Sequence, residues 1–239
     1  MDLNTNILIP MAGLGSRFSE AGYTFPKPLI EVQGQPMISK VVESLNLQGR
    51  YIFLVQKSHF DEYHLDNLLN LIAPGCEIIQ IDGITEGAAC TALKAKKFIN
   101  DKKPLIIANS DQFIKWNSLE TISDFNDHDG GILTFKSIHP KHSFVKLNSS
   151  GFVQEVAEKK PISSDATVGI YHWKRGEDFV KYAERMIKKN IRTNNEFYIC
   201  PVYNEALEDG LQIKTSLVDE MWGMGTPEEL SIFLNQINR

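Results

Sequence analysis

The sequence predicts an α/β protein with a mostly parallel central sheet. In the first half of the chain, short apolar runs alternate with segments of helical periodicity. A glycine-containing loop follows the first apolar run at once, which is typical of a strand that turns into a helix. In the second half, strand-like segments follow one another with few helices between them. Strands that alternate with helices favour a parallel sheet, and the second half favours an added mixed region.

The first-half elements can be placed from their apolar patterns. The expected strands are residues 5–11, 51–55, 77–81 and 105–108, each an apolar run of strand length. The expected helices are residues 37–45, 60–72 and the alanine-rich segment 88–98, each with apolar residues at helical spacing.

The second-half elements complete the prediction. Expected strands are residues 130–136, 144–147, 152–156, 167–173 and 211–217, and expected helices are 177–188 and 198–208. A last helix should begin at Pro227, because Glu228 and Glu229 then lie in its first turn. We therefore expect a Rossmann-like three-layer sandwich with a mostly parallel central sheet and a smaller mixed-sheet subregion.

Composition narrows the class of function. The chain has 239 residues, of which 42% are hydrophobic and 23% charged, as in ordinary globular proteins. Its net charge of −5 argues against broad binding to nucleic acid, which needs a basic face. No stretch approaches the ~20 apolar residues of a membrane span, so we expect no membrane partner and a cytoplasmic location. Cys76, Cys90 and Cys200 are far apart, which indicates free thiols rather than a disulfide framework.

The loop after the first strand is a candidate phosphate site. The strand runs into Ala12-Gly13-Leu14-Gly15-Ser16-Arg17, and ligands of open α/β sheets bind beyond the carboxyl ends of strands. Glycines let backbone N–H groups approach phosphate, and arginine adds a planar fork of donors. A dinucleotide fingerprint is excluded because Phe18 stands where a third glycine belongs, and a P-loop ending is missing. Taken alone, the loop could equally be a tight turn.

A lysine between two prolines strengthens the phosphate interpretation. In Pro26-Lys27-Pro28-Leu29 each proline fixes its own φ and disfavours the α conformation of the residue before it. We therefore expect Lys27 on a stiff, extended backbone. A lysine held in one position suits phosphoryl transfer, in which positioning provides much of the catalysis.

Together the two segments resemble the signature of the sugar nucleotidyltransferase family, the NDP-sugar pyrophosphorylases. The resemblance implies transfer of a nucleoside monophosphate from an NTP to a sugar 1-phosphate, with release of pyrophosphate. It implies that residues 12–16 lie over the base and triphosphate. It also implies that Arg17 contacts the β- and γ-phosphates and Lys27 the α-phosphate, so both are expected to be catalytic.

An aspartate follows the fourth expected strand, in Asn109-Ser110-Asp111-Gln112. A carboxylate at this edge of the sheet suits Mg²⁺, which takes one or two carboxylates and bridges phosphates. The resemblance implies that Asp111 binds the catalytic metal, and Asn109 is expected among the acceptor contacts. A simple turn cap is the alternative for Asp111.

The segment Glu86-Gly87-Ala88 resembles the part of the family that holds the nucleobase. Here Thr85 and Glu86 replace the usual apolar residue, which leaves open which base is recognised. The alternative is a helix N-terminus with a capping residue.

Three further segments resemble acceptor-binding parts of the family. Glu158-Lys159-Lys160-Pro161 implies a glutamate for sugar hydroxyls and a lysine for the acceptor phosphate. Lys159 is the candidate and Lys160 its alternate, while a solvated charge cluster is the competing explanation. Gly169 is expected to let the acceptor lie close, and Glu196 to face it.

Near the end of the chain, Trp222-Gly223-Met224-Gly225-Thr226-Pro227 resembles a family segment that carries an aspartate before Gly-Thr-Pro. In many relatives that aspartate is the second metal ligand, and Gly223 stands at its position. Either one carboxylate suffices, or another acid such as Asp219 or Glu220 substitutes.

These observations predict a single domain, 1–239, with about 1–125 binding the NTP and about 126–239 the acceptor. The expected partners are an NTP, a phosphorylated small molecule and Mg²⁺, and a homo-oligomer is left open. One alternative is a cytidylyltransferase acting on a non-sugar phosphate such as phosphocholine. A nucleotide-sugar-dependent glycosyltransferase would normally carry Asp-x-Asp, where Asn109 stands here. A nucleotide-sensing module without turnover is the third alternative, motivated by Gly223.

Overall fold

The computed structural model describes residues 5–237. Residues 1–4 and 238–239 of the expected domain lie outside the described residues. Within residues 5–237, no helix is long and apolar enough to cross a lipid bilayer.

The strands are, in chain order, β1 (Asn6–Pro10), β2 (Glu31–Val32), β3 (Gln35–Pro36), β4 (Arg50–Gln56), β5 (Glu77–Ile81), β6 (Leu105–Ala108), β7 (Gln112–Lys115), β8 (Gly130–Lys136), β9 (Ser143–Leu147), β10 (Val153–Glu158), β11 (Asp165–Trp173), β12 (Ile213–Leu217) and β13 (Glu220–Gly223). The α-helices are α1 (Ser16–Glu20), α2 (Met37–Leu45), α3 (Lys57–Tyr63), α4 (Leu65–Ile72), α5 (Ala88–Leu93), α6 (Lys96–Ile99), α7 (Ser118–Asn126), α8 (Gly176–Lys188), α9 (Val202–Glu208) and α10 (Pro227–Ile237). A 3₁₀ turn spans Lys27–Leu29.

Nine of the described strands form one sheet in which β10-β9-β11-β6-β1-β4-β5 are neighbours in that order. The strands β6, β1, β4 and β5 are parallel, as expected for the first half of the chain. Strand β11 is antiparallel to β6, β8 and β9, and β12 runs parallel to β8 at the far side. The expected Rossmann-like α/β fold, with its added mixed region, is confirmed. The separate ribbon of β7 and β13 is antiparallel.

Each face of the sheet carries a hydrophobic core, because successive residues of a strand point to opposite sides. Ile7 and Ile9 of β1 belong to the core that includes α2, α4, α7 and α10. Leu8 belongs to the opposite core, with α5, α6, α8 and α9. The two cores make the three layers and leave the strand ends free to form a site.

Two expected helices are broken. The helix expected over 60–72 is interrupted at His64, which has φ 49° and ψ 51°. This left-handed conformation at the C-cap ends α3, and α4 begins at the next residue. The helix expected over 88–98 becomes α5 and α6, joined by tighter turns in which Ala95 N–H bonds to the Ala92 carbonyl at 3.0 Å.

The helix expected over 198–208 begins only at Val202. Pro201 precedes it, and a proline disfavours the α conformation of the residue before it. Residues 198–200 therefore remain outside the helix, where they line the cleft described below.

Candidate active site

A cleft of about 770 Å³ opens where β1 and β6, neighbours in the parallel half of the sheet, end. Its volume is in the range of small-molecule sites, roughly 300–1,000 Å³. Pro10 at the end of β1 and Asn109 after β6 both line it. The cleft therefore occupies the edge at which open α/β sheets bind ligands.

The glycine loop forms one wall of this cleft, with residues 13–17 lining it. Gly15 has a left-handed φ of 64° and begins α1. A Cβ atom on Gly15 would lie 3.1 Å from Cβ of Lys27, so glycine allows the loop and the lysine to touch. Ala12 does not line the cleft; its carbonyl accepts a hydrogen bond of 2.6 Å from Gln56 Nε2 behind the loop.

Lys27 stands on a turn rather than on extended backbone. Pro26 is extended, with φ −59° and ψ 148°, but Lys27 is the first residue of the 3₁₀ turn. Leu29 N–H donates to the Pro26 carbonyl at 2.8 Å, which closes the turn. The expectation of an extended Lys27 was therefore wrong, because the fixed φ of Pro28 is also compatible with the second position of a helical turn.

The ammonium group of Lys27 forms an ion pair with Asp111. Lys27 Nζ lies 2.8 Å from Asp111 Oδ2, and the two side chains are 19% and 26% exposed. Asp111 follows the end of β6, and its carbonyl accepts a 2.7 Å hydrogen bond from Met224 N–H. Two segments that the sequence singled out separately thus converge in one cleft.

The ribbon of β7 and β13 brings the C-terminal segment against Asp111. In this ribbon Gly223 pairs with Gln112. A Cβ atom on Gly225 would lie 2.8 Å from Asp111 Oδ2 and 3.3 Å from Glu229 Oε2. The two carboxylates therefore flank one small space that glycine leaves open.

Neither acid expected as a substitute for the missing aspartate lines the cleft. Glu220 pairs with Lys115 at 3.1 Å, and the rise of a strand places it about 10 Å from Gly223. Asp219, one residue further, donates its N–H to the carbonyl of Lys115. Instead, a Cβ atom on Gly223 would lie within 3.2 Å of both carboxylate oxygens of Glu229.

The donor set of the cleft fits a hard divalent cation. Within residues 5–237, no group of three or more histidine, cysteine, aspartate or glutamate side chains could hold a metal. Mg²⁺ does not need such a group, because it keeps several waters and takes one or two carboxylates with substrate phosphates. Asp111 provides a carboxylate at the rim of the open space beside Gly225.

The opposite wall holds the candidate acceptor residues. Glu158, at the end of β10, accepts a short hydrogen bond from Ser143 Oγ. Burial raises the pKa of the Glu158 carboxyl, and the charge of Glu196 adds to this, while Ser143 and Lys159 oppose it. Glu158 is therefore a partly desolvated acceptor of hydrogen bonds.

Lys159 lies beside Tyr198 on this wall. Its Nζ donates a 2.5 Å hydrogen bond to the tyrosine hydroxyl and lies 4.7 Å from the ring centroid. Lys160, the alternate candidate, is exposed and does not line the cleft. The structure thus brings only the first of the two lysines to the site.

A register shift in β11 lies beside the cleft. Between Thr167 and Tyr171 the pairing with β8 is irregular, and Gly169 in this stretch has φ 81°. A Cβ atom there would lie 2.1 Å from Asn109 Nδ2. Bulges often re-aim residues next to active sites, and this one places Gly169 against Asn109, both of which line the cleft.

The segment expected to hold the base reaches the cleft only through Ala88. Glu86 does not line the cleft; its carboxylate pairs with Arg192 at 2.5 Å. Gly87 has φ 128° and packs so closely on Phe197 that a Cβ atom would lie 2.5 Å from its backbone N and O atoms. These contacts fasten the segment to residues 192–197, and the expected contact of Glu86 and Gly87 with the nucleotide stays a prediction.

The structure adds cleft residues that sequence reasoning missed. Gln112 is 2% exposed, and its Oε1 has no hydrogen-bond partner within the described residues. Burial lowers the pKa of His142 to about 4, helped by Lys141, so this ring is neutral at neutral pH. Glu229 did have a signal, because Thr226 and Glu229 have the spacing of a helix capping box.

Comparison with known proteins gives the family. The Nucleotidyl transferase family matches residues 7–230. The bifunctional protein GlmU of Campylobacter fetus subsp. fetus is 26% identical over 235 residues, which are 95% of this chain and 52% of that protein. The low-salt glycan biosynthesis nucleotidyltransferase Agl11 of Haloferax volcanii is 26% identical over 226 residues, which are 91% of this chain and 62% of that protein. The chain thus spans about half the length of the GlmU relatives it matches.

Solved structures of nucleotide-sugar pyrophosphorylases are similar to this chain. The nucleoside-diphosphate-sugar pyrophosphorylase from Vibrio cholerae RC9 is similar over 96% of this chain and 100% of that chain, with a TM-score of 0.82 and 27% identity. UDP-glucose pyrophosphorylase from Acinetobacter baumanii has a TM-score of 0.74 at 17% identity, over 97% of this chain and 92% of that one, which shows a shared fold. Since the family match covers nearly all of the chain, this protein belongs to the Nucleotidyl transferase family.

Proposed function

We propose that this enzyme transfers a nucleoside monophosphate from an NTP to a sugar 1-phosphate and releases pyrophosphate. The observation that carries the proposal is the 2.8 Å contact between Lys27 and Asp111 in a cleft shared with the glycine loop. Glu158 and Lys159 stand on the opposite wall of the same cleft. Two anionic substrates could therefore meet between the walls.

On the first wall, residues 13–16 would bind the triphosphate. Glycine at 13 and 15 exposes backbone N–H groups, which are suitable donors to phosphate oxygens. The planar guanidinium group of Arg17 would donate hydrogen bonds to the β- and γ-phosphates. Lys27 would bind the α-phosphate, the group that is transferred. Ala88 is the residue of its segment that is available to the base.

On the second wall, Lys159 would bind the acceptor phosphate. Glu158, Asn109 and Glu196 would accept hydrogen bonds from acceptor hydroxyls, and Gly169 leaves room for the acceptor to approach. We accordingly assign about 1–125 to the NTP and about 126–239 to the acceptor, within one domain.

The reaction requires no covalent enzyme intermediate. An oxygen of the acceptor phosphate attacks the α-phosphorus of the NTP, and the bond from that phosphorus to the bridging oxygen of pyrophosphate breaks. Unit like charges ~4 Å apart repel by ~4 kcal/mol at an effective dielectric of ~20. Arg17, Lys27 and Lys159 offset this repulsion. Mg²⁺ held by Asp111 would neutralise further charge on the phosphates.

The acceptor wall favours a sugar over a quaternary ammonium compound. Recognition of choline-like groups uses the open face of an aromatic ring. The ring of Tyr198 already has Lys159 Nζ 4.7 Å from its centroid. Ser143, Thr167 and Glu158 supply hydroxyl and carboxylate oxygens to the cleft, which suit an acceptor rich in hydroxyl groups.

The test is release of pyrophosphate from ATP, GTP, CTP or UTP in the presence of Mg²⁺, with a panel of sugar 1-phosphates and with phosphocholine. We expect release that depends on both substrates, with one NTP and one or a few sugar 1-phosphates preferred. Turnover with phosphocholine alone would favour the non-sugar alternative. Sugar transfer from a nucleotide sugar would favour a glycosyltransferase, and NTP binding without any turnover would favour a sensing module.

A further inference from the structure

We infer that Glu229, in the first turn of α10, supplies the second carboxylate of the divalent-cation site, at the place where Gly223 provides none. The inference rests on the proposed function, because it completes the cation site of that reaction. It replaces the two expected substitutes, Asp219 and Glu220, neither of which lines the cleft.

The first argument is the position of the two carboxylates. Asp111 Oδ2 and Glu229 Oε2 lie 2.8 and 3.3 Å from one point, the place of a Cβ atom on Gly225. Mg²⁺ binds its oxygen ligands at ~2.1 Å, so two carboxylates can share one ion only if they face a common space. The two facing oxygens are therefore within about 6 Å of each other where both carboxylates line the cleft, so that a small rotation of the side chains would bring them to one ion.

The second argument is the pair of glycines. Neither Gly223 nor Gly225 has a left-handed φ, so the backbone conformation does not require glycine at either position. Both are constrained by space instead, since a Cβ atom on either would lie within 3.3 Å of the Glu229 carboxylate. An aspartate at position 223 would crowd Glu229 in its present place, so that one of the two side chains would have to shift. The Glu229 carboxylate thus lies against the place where the aspartate of relatives would begin.

The third argument is that the carboxylate is fixed and charge-balanced. Glu229 Oε2 accepts a 3.0 Å hydrogen bond from Gly225 N–H. Lys141, which also lines the cleft, pairs with the other oxygen, Oε1. Each carboxylate of the pair is therefore matched by one lysine, Asp111 by Lys27 and Glu229 by Lys141.

A purely structural role has to be separated from this one. The backbone N–H of Glu229 donates to Thr226 Oγ1 at 3.2 Å, and its side chain accepts from Gly225 N–H, so the residue also helps to cap the start of α10. Glutamine serves in such a cap as well as glutamate does, but it lacks the charge that a cation needs. The variant E229Q therefore keeps the cap and removes the ligand.

The experiment titrates Mn²⁺ alone into the full chain and follows the free ion by electron paramagnetic resonance. The variants are E229Q, E229A, D111N and the double variant G223D/E229A, with D219N and E220Q as controls. We expect binding about tenfold weaker or more in E229Q and D111N, because the site loses one charged ligand. D219N and E220Q should bind as the wild type does. G223D/E229A should bind more tightly than E229A, since an aspartate then fills the vacated space.

Thermal unfolding is recorded for every variant, and E229Q should unfold within about 2 °C of the wild type, as expected for a retained cap. Equal Mn²⁺ binding by E229Q and wild type would overturn the inference, as would a wild type that binds no Mn²⁺. If the wild type releases pyrophosphate but E229Q binds Mn²⁺ normally, this inference fails and the proposed function stands. If no NTP yields pyrophosphate but E229Q loses Mn²⁺, the proposed function fails and the carboxylate pair stands.

Discussion

Lys27 Nζ lies 2.8 Å from Asp111 Oδ2, although the two residues are 84 positions apart in the chain. The contact joins the turn after the glycine loop to the end of β6. It also balances a carboxylate that would otherwise stand alone at the edge of a partly buried cleft.

Replacing Lys27 should remove most turnover while the fold remains. In K27A we expect pyrophosphate release to fall by about 100-fold or more, because a positioned cation near the transferred phosphate is lost. Thermal unfolding should change little, since the side chain is at the cleft and outside both cores. K57A is the control, because Lys57 pairs with Asp61 on the surface of α3. Near-normal turnover in K27A would refute the role proposed for this lysine.

Replacing Gly15 should lower the turnover number as well as strain the backbone. Alanine at position 15 meets a φ of 64° and a Cβ contact of 3.1 Å with Lys27, so it should displace the lysine. G22A is the matched control, since Gly22 has φ 85° but nothing within 4 Å of its Cβ position. Both variants should lose roughly 1–2 kcal/mol of stability, but only G15A should show a lower kcat. Equal kcat values would mean that the loop does not position Lys27.

Lys159 should control the affinity for the acceptor. In K159A we expect KM for the acceptor to rise about tenfold or more, because a charged hydrogen bond to phosphate is worth ~1.5–3 kcal/mol. KM for the NTP should stay close to its wild-type value. K160A, which changes the exposed neighbour, should leave both constants unchanged. An unaltered acceptor KM in K159A would show that another cation holds the acceptor phosphate.

Glu158 should make stability depend on pH in a defined direction. Burial raises the pKa of its carboxyl, so the folded protein holds the proton more tightly than the unfolded chain does. The contribution of this proton to stability is complete below the unfolded pKa, about 4.3, and is lost as pH rises through the folded value. E158Q, whose amide oxygen can still accept from Ser143, should therefore raise the unfolding temperature at pH 8.

The same gain should disappear in melts recorded at pH 4, where the wild-type carboxyl is protonated. E155Q is the matched control, because Glu155 is an exposed residue of the same strand. A stabilisation by E158Q that is equal at both pH values would contradict the assigned effect of burial. A higher acceptor KM in E158Q at pH 8 would accompany the stabilisation if the carboxylate binds hydroxyl groups.

Replacing Gly87 should disturb the binding of both substrates, because this residue packs against the acceptor wall. A Cβ atom at this position would lie 2.5 Å from backbone atoms of Phe197, the residue between Glu196 and Tyr198 of the acceptor wall. G87A should therefore lower the unfolding temperature and raise KM for both substrates. G83A is the control, since Gly83 also has a positive φ, 77°, but no neighbour within 4 Å. A KM change confined to the NTP would argue against the coupling.

Elements with strong periodicity or a continuous apolar run were predictable. Residues 37–45 were expected to be helical, and α2 has the same bounds, because its apolar residues all face one core. The break at His64 was not predictable, since apolar residues continue on both sides of it. The ribbon of β7 and β13 was missed because its strands are four residues each and lie far apart in the chain.

The residues of the candidate site were likewise predictable only in part. Motifs carried by short, continuous segments pointed to Lys27, Asp111 and Lys159, which the structure places on one cleft. Glu229 was missed because its capping-box spacing indicates a helix start and not a cleft residue, and its place beside Asp111 depends on glycines four and six positions away. The prediction for Glu86 stays untested: Ala88 of its segment lines the cleft, but the Glu86 carboxylate pairs with Arg192, a contact between distant parts of the chain that no local pattern indicates.

The bond from Met224 N–H to the carbonyl of Asp111 makes the cleft depend on the last part of the chain. The glycine loop and Asp111 come from the first half of the sequence, whereas Gly225 and Glu229 reach the cleft from a segment more than 100 residues later. A chain cut before Met221 would lack these residues, and under the proposed function we expect it to release no pyrophosphate.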